Sequence, residues 1–283
     1  SDPNYFTESN FWKDKADAES ALAAAYSPIK GAMYGYFGAF DGWLNLNGRG
    51  DDIFTIKGEE VPMWNIANFL NSPSTGNDPY GALYSGIQRA NIVLRYIDQV
   101  PASGITEEDR SMIKGEALFL RGYQYFLLVN NYKEVPLRLI PSNEDETNKG
   151  PASEAALWTQ VEEDLGNAIK CNLPVERTTA KERVTKGAAI AMLGKVYATQ
   201  HRYPEAKQLV GTLLKAPYSY ELIDNFGKNF TNEDEFNKES VYEIAYSPDG
   251  EYSWSNESGI CLGCYIPQFT GPVKSGGWAK LMP

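Results

Sequence analysis

Apolar residues recur through the stretch Pro79 to Val100 at alternating spacings of four and three. Leu83, Ile87, Ala90, Leu94 and Ile97 therefore fall on one side of a helix with 3.6 residues per turn. The stretch Lys114 to Leu137 repeats the pattern less cleanly through Ala117, Leu120, Tyr123 and Leu127. Between them, Pro101 closes the first helix. Thr106, followed three residues later by Asp109, reads as a variant capping box that opens the second. The two stretches predict an antiparallel helix pair.

The same reading extends along the chain. A first helix is expected from about Lys15 to Phe40, kinked or broken at Pro28 and Gly31. A third, Ser153 to Cys171, turns Leu157, Val161, Leu165 and Ala168 inward, with Cys171 as a small core residue on it. Thr185 to Gln200 and Tyr203 to Leu214 complete the set. This last pair carries a more specific signal. Leu193, Gly194, Tyr197, Ala206 and Val210 fall on the tetratricopeptide template, whose small residues let two helices approach closely while Tyr197 fills the groove. The earlier helices are longer and their loops irregular, so the repeat is degenerate. A few divergent tetratricopeptide units still explain the layout better than a generic bundle.

Between the helices the texture differs. Asp41 to Asp78 is long, non-helical and rich in Asn, Asp and Gly, and its Trp43, Phe54, Trp64 and Phe69 argue against disorder. Residues 141–153 read as an acidic, solvated loop. Ser240 to Ser247 sets Tyr242, Ile244 and Tyr246 against Val241, Glu243 and Ala245, the alternation of a strand. Pro248 to Pro283 is a loop rich in Gly and aromatic residues. The expected fold is mainly α: one domain over 1–283, with divergent tetratricopeptide-like helical repeats over about 15–214. Long loops and a few short strands complete it, and 215–283 is loop-rich.

Composition removes several function classes. The net charge is −11 and the pI about 4.8, a poor match to a phosphate backbone. No apolar run reaches the length of a membrane span. Ala18 to Phe40 comes nearest, and Glu19, Pro28, Lys30 and several glycines break it. The single His, His201, falls in a helical-repeat turn, which removes most nucleophile–base arrangements. There is no Gly-rich phosphate loop, no H-E-x-x-H and no G-x-S-x-G. The 37 carboxylates show no spacing that points to a glycosidase pair. No catalysis, cofactor or metal is expected; the run Asn232 to Glu235 lacks the alternating ligands of a calcium loop. Cys261 and Cys264 form a C-x-x-C without a second pair, either a local disulfide or two loop thiols.

The aromatic content changes the picture. Phe, Trp and Tyr make up 13% of the chain. Sugars are bound by stacking their C–H faces on aromatic rings while planar polar side chains catch their hydroxyls. Trp43 and Trp64 stand in the loop among Asp41, Asn45, Arg49, Asp51, Asp52, Asn65 and Asn68, the composition of a carbohydrate platform. Trp254, Tyr265 and Trp278 stand in the later loop. The candidate ligand-binding residues are Trp43, Arg49, Asp51, Asp52, Trp64, Asn65, Asn68, Trp254, Tyr265 and Trp278. The competing reading is that loop rings pin the loops to the body. Trp12 and Trp158 read as core, Tyr80 and Tyr84 as interhelical packing. Asp51 and Asp52 serve equally well as turn caps, and the RGD at Arg49 to Asp51 is taken as chance.

The wording of the central helices, LYSGIQRANIVL and then GEALFLRGYQYFLLVNNYKEVPL, resembles the SusD/RagB family. KESVYEIAYS and GGWAKLMP resemble the end of that family's helical scaffold and the beginning of its second half. The resemblance implies a non-catalytic, surface-exposed lipoprotein of the Gram-negative outer membrane. Such a protein holds a glycan over a SusC-like TonB-dependent transporter, its glycan site on loops away from the repeat helices and its repeat face on the transporter. Family members begin with a lipoprotein signal and run to roughly twice this length. A chain opening on SDPN and closing on KLMP is therefore expected to be the N-terminal half, without its lipid anchor. No motif carries ligand residues over from the family, so the site residues rest on composition and placement. Two other readings stay open: a tetratricopeptide scaffold that binds only protein, and a relative that captures peptides.

Overall fold

A computed structural model of the chain describes residues 11–30, 50, 54–55, 64–65, 67–70, 79–142, 148–231, 233–246 and 281–282. The described α-helices are α1 (Lys15–Lys30), α2 (Tyr80–Tyr96), α3 (Glu107–Tyr132), α4 (Glu154–Lys170), α5 (Lys186–Thr199) and α6 (Tyr203–Val210). Short 3-10 turns follow at Ile97–Gln99, Gly211–Leu214 and Phe226–Phe230. The chain divides into two compact units. The first holds Ser1–Ala25 and Ile87–Ile244, the second Tyr26–Gly86 and Ala245–Pro283.

Helix starts follow their caps. The hydroxyl oxygens of Thr106, Ser153 and Thr185 accept from the amides of Asp109, Ala156 and Ala188, at 3.1, 3.3 and 3.1 Å. Glu107, Glu108 and Asp109 then place negative charge at the positive end of the α3 dipole. So α3 begins where the expected Thr106 cap opens it, ahead of the apolar stretch from Lys114, and stops at Lys133, whose φ of 65° leaves the helical region. In α1, Pro28 lies inside the helix.

In the first unit α3 packs on α4, α4 on α5, and α5 on α6. Side-chain pairs give the sense of packing. Asp98, in the 3-10 turn that continues α2, meets Lys114 at 2.7 Å and Asn91 of α2 meets Arg121 at 2.9 Å, so numbers fall from that turn back into α2 as they rise along α3, the expected antiparallel sense. Helix α3 is the centre, with fifteen of its residues buried. Leu157, Val161, Leu165 and Ala168 of α4 are all fully buried, as their spacing required. In α2 and the 3-10 turn after it, Leu83, Ile87, Ala90 and Ile97 are buried, but Val93 takes the inward place expected of Leu94, which is half-buried. Asn91 is buried as well, and its side-chain amide donates to the carbonyls of Arg138 and Ile140, both at 3.1 Å. The close approach expected of α5 and α6 is present: a methyl group on Gly194 would run into the Val210 side chain, and Ala206 is buried. Tyr197 is capped by the Arg202 guanidinium, 4.3 Å from its ring centre.

The expected strand from Ser240 does not form over residues 240–246. Its alternation serves side-chain packing instead. The Tyr242 ring stands edge-on to Phe119 of α3 at 5.4 Å, and the Glu243 carboxylate accepts from the Phe236 amide at 3.1 Å. In the second unit, β1 (Phe54–Thr55) pairs antiparallel with β2 (Leu281–Met282), Phe54 opposite Met282 and Thr55 opposite Leu281.

Candidate functional site

Of the residues read as a carbohydrate platform, Trp64, Asn65 and Asn68 are described. Trp43, Arg49, Asp51, Asp52, Trp254, Tyr265 and Trp278 lie outside the described residues, as do Cys261 and Cys264. The described three share one helical turn of the second unit. The Asn68 backbone amide donates to the Trp64 carbonyl at 3.1 Å, and its side-chain amide donates to the same oxygen at 2.7 Å. Leu70 closes the turn by donating to the Asn65 carbonyl at 2.8 Å. Between them Phe69 sits at φ 56°, a left-handed backbone that a bulky side chain rarely adopts. Phe69 is 70% exposed, whereas Trp64 and Asn65 are half-buried. The most open ring on this turn is thus one that the platform reading passed over, because an apolar Phe offers no signal in sequence that it will face water.

The first unit contains a cleft of about 170 Å³ between the start of α5 and the chain from Pro217 to Glu243. Tyr218 and Tyr220 line it with nearly parallel rings, 12° apart and 6.1 Å between centres. Burial pushes both phenols above their ordinary value. At Tyr220 a hydrogen bond with Thr185 works the other way. Burial also raises the Tyr242 phenol. The rim groups already have partners: Lys238 pairs with Glu221 at 3.0 Å and Asn237 donates to Asn229 at 2.9 Å. A pocket that buries a drug-sized ligand measures roughly 300–1,000 Å³. This cleft falls below that range and reads as a packing gap in the scaffold.

Charged groups are buried in the scaffold too. Arg121 grips Asp164 with two hydrogen bonds, 2.8 and 2.6 Å, and reaches the Asn91 oxygen at 2.9 Å. Gln160 donates to the same carboxylate at 3.0 Å. Glu116, with no exposed surface, is held by Arg177 and Arg183, both at 2.8 Å. Both carboxylates are paired with guanidinium groups: Asp164 ties α4 to Arg121 of α3, and Glu116 ties α3 to Arg177 and Arg183 of the segment before α5. His201 sits at the α5–α6 turn with φ 60°, its Nδ1 2.8 Å from the Tyr203 hydroxyl and exposed. Cys171 caps α4 as a half-buried free thiol raised by burial. Among the described residues, no group of acidic, His and Cys side chains is placed to hold a metal, and no helix is long and apolar enough to cross a membrane.

Glu116, Arg121 and Tyr125 all stand within the stretch GEALFLRGYQYF. Tyr125 both donates to the Arg138 carbonyl and accepts from its amide, at 2.9 and 2.7 Å. That stretch falls inside residues 53–198, which match a family model described as starch-binding and associating with the outer membrane. The chain belongs to the SusD-like family. The fold agrees. A laminarin-binding SusD-like protein is 30% identical and superposes with a TM-score of 0.82 over 92% of this chain and 58% of its own. A SusD superfamily protein of Bacteroides vulgatus is also 30% identical, with a TM-score of 0.77 over 83% of this chain and 50% of its own. A SusD-like protein of Formosa agariphila is 25% identical over 90% of this chain and 50% of its own length. The chain thus spans about half the length of the curated relative it matches.

Proposed function

We propose that this SusD-like chain is part of a cell-surface protein that captures a glycan and hands it to a TonB-dependent transporter in the outer membrane. The observation that carries the reading is the family match over residues 53–198, which includes the turn bearing Trp64, Asn65, Phe69 and Asn68. An exposed ring beside amide side chains suits a sugar, which offers one apolar face and a rim of hydroxyls. Starch, in the family's description, and laminarin, bound by a relative, are both glucose polymers. A glucan is therefore the ligand class to test first. Trp43, Arg49, Asp51, Asp52, Trp254, Tyr265 and Trp278 remain part of the proposed platform.

The role is capture without cleavage. The buried carboxylates described above are occupied by arginines, and the single His bonds to a tyrosine at an exposed turn. The protein sits on the outer membrane through a lipid anchor, with its repeat helices on a SusC-like transporter. Repeat helices present a broad, rigid surface suited to such an interface.

Affinity electrophoresis against starch, laminarin, xylan and mannan tests the reading. Retardation by a glucan, with the polymer left uncut after hours of incubation, is the expected result. Phe69→Ala and Trp64→Ala should each weaken that binding by about 1–3 kcal/mol, the cost of one stacking ring. Retention by no glycan, or by peptides alone, would overturn the sugar reading.

A further inference from the structure

The turn that carries Phe69 ends the helical segment at Trp64, and its geometry is that of a Schellman cap. The Leu70 amide reaches back to the Asn65 carbonyl at 2.8 Å, and the residue between cap and exit, Phe69, is left-handed at φ 56°. Glycine is the usual residue there, because a side chain in that conformation crowds the following carbonyl. Phe69 is 70% exposed and Leu70 53%, so neither backbone preference nor burial keeps a phenylalanine at this place. Phe236 shows the contrast. It is left-handed too, at φ 55°, but half-buried in the lining of the scaffold cleft, where burial offsets the strain. At Phe69 the backbone is instead clamped from both sides. Asn68 donates twice to the Trp64 carbonyl, from its backbone amide at 3.1 Å and from its side-chain amide at 2.7 Å, which fixes the residue before the ring. The Leu70 bond fixes the residue after it. Strain that neighbouring bonds hold in place, around a side chain the fold leaves uncovered, is a mark of function.

We infer that this turn is a presentation device. Phe69 and Leu70 form the apolar face on which a sugar rests, and Asn68 is a positioning residue that holds the ring out rather than a group that catches hydroxyls. The inference rests on the sugar reading above and gives the residues of that turn separate roles. Its physical consequence is an opposition between stability and binding. Glycine at position 69 would suit the backbone better and leave the sugar nothing to stack on.

Substitutions in the full-length polypeptide, followed by thermal melts and by affinity electrophoresis on starch and laminarin, test the assignment. Phe69→Gly should raise the melting temperature by about 1–3 °C as the strain is released, and weaken glucan binding at least about fivefold. Phe69→Trp should keep the binding. Asn68→Ala should weaken binding by itself but add no loss to Phe69→Gly, because a positioning residue with no ring to hold has no effect on the ligand. Losses that added would make Asn68 a direct ligand and overturn its assigned role. Undiminished binding by Phe69→Gly would overturn the presentation device. So would a lowered melting temperature, which would mean that the ring packs against the protein itself. An unsubstituted protein that bound no glycan would bring down the sugar reading and this inference with it. Where glycan is bound, each of the other outcomes bears on this inference alone.

Discussion

Asp164 is 1% exposed and its partner Arg121 8%, so neither charge can fall back on water if the other is removed. Asp164→Ala should therefore cost about 3–5 kcal/mol, read from urea unfolding. Arg121→Lys should also be costly, because an ammonium cannot reproduce the two-pronged grip on the carboxylate. A loss below about 1 kcal/mol for Asp164→Ala, the scale of an exposed pair, would show that water reaches the site. Asp109 behaves differently. Its bond to Lys15 at 2.8 Å holds the carboxyl below its ordinary value of 3.8, helped by the Thr106 hydroxyl and opposed by slight burial. A carboxyl lowered in the folded state adds stability above its unfolded value, and that stability disappears as pH falls through the folded value. Asp109→Asn should thus cost a few tenths of a kcal/mol at neutral pH, and the two proteins should converge in stability below pH 3.8. A difference that persisted in acid would point to the cap rather than the ion pair.

At the scale of elements, two helical glycines make opposite predictions. Alanine raises helix propensity over Gly by about 1 kcal/mol, so what the added methyl meets decides the sign. In α4, Gly166 has nothing within 4 Å, and Gly166→Ala should stabilise by about 0.5–1 kcal/mol. In α5, the methyl of Gly194→Ala would meet the branched, stiff Val210 of α6, and overpacking of about 1–3 kcal/mol should outweigh the propensity gain. Thermal melts of the two variants should move in opposite directions. If both rose, α6 would be loosely held and the tetratricopeptide packing incidental. The helices themselves were legible in sequence because caps and periodicity are local. The strand expected at Ser240 was not, because alternation records only which side chains point inward. A ladder needs a partner, and here Tyr242 packs on a helix.

At the scale of the molecule, the proposal separates a sugar face from a docking face. Lys195 and Lys207 are exposed on α5 and α6. Lys195→Glu with Lys207→Glu should loosen co-purification with the transporter and leave glucan affinity in solution unchanged. Rim charges act chiefly on the rate at which a partner approaches. A parallel fall in sugar affinity would put both functions on one surface. The site itself was less legible than the scaffold. Stacking platforms are set by which rings the fold leaves uncovered, and loop composition at Trp64, Asn65 and Asn68 does not say so. On that turn the half-buried ring is the Trp and the open one is Phe69.

What the amino-acid sequence determined by itself is the set of helices, the antiparallel sense of the central pair, the close contact of α5 with α6, and the family. The structural features follow from residues a few positions apart, where caps, stripes and small-residue spacings act through short-range sterics and hydrogen bonds, and the family from the resemblance of the central helices. Only the tertiary structure decided which polar residues were to be buried. Glu116 and Arg121 look like surface charges on an apolar helix until Arg177, Arg183 and Asp164 arrive from 43 to 67 positions away. It likewise turned Val93 rather than Leu94 inward, and left Phe69, Phe226 and Phe230 facing out. Burial is a property of the surfaces that meet. The residues that meet here are distant in the chain, so no local pattern records them.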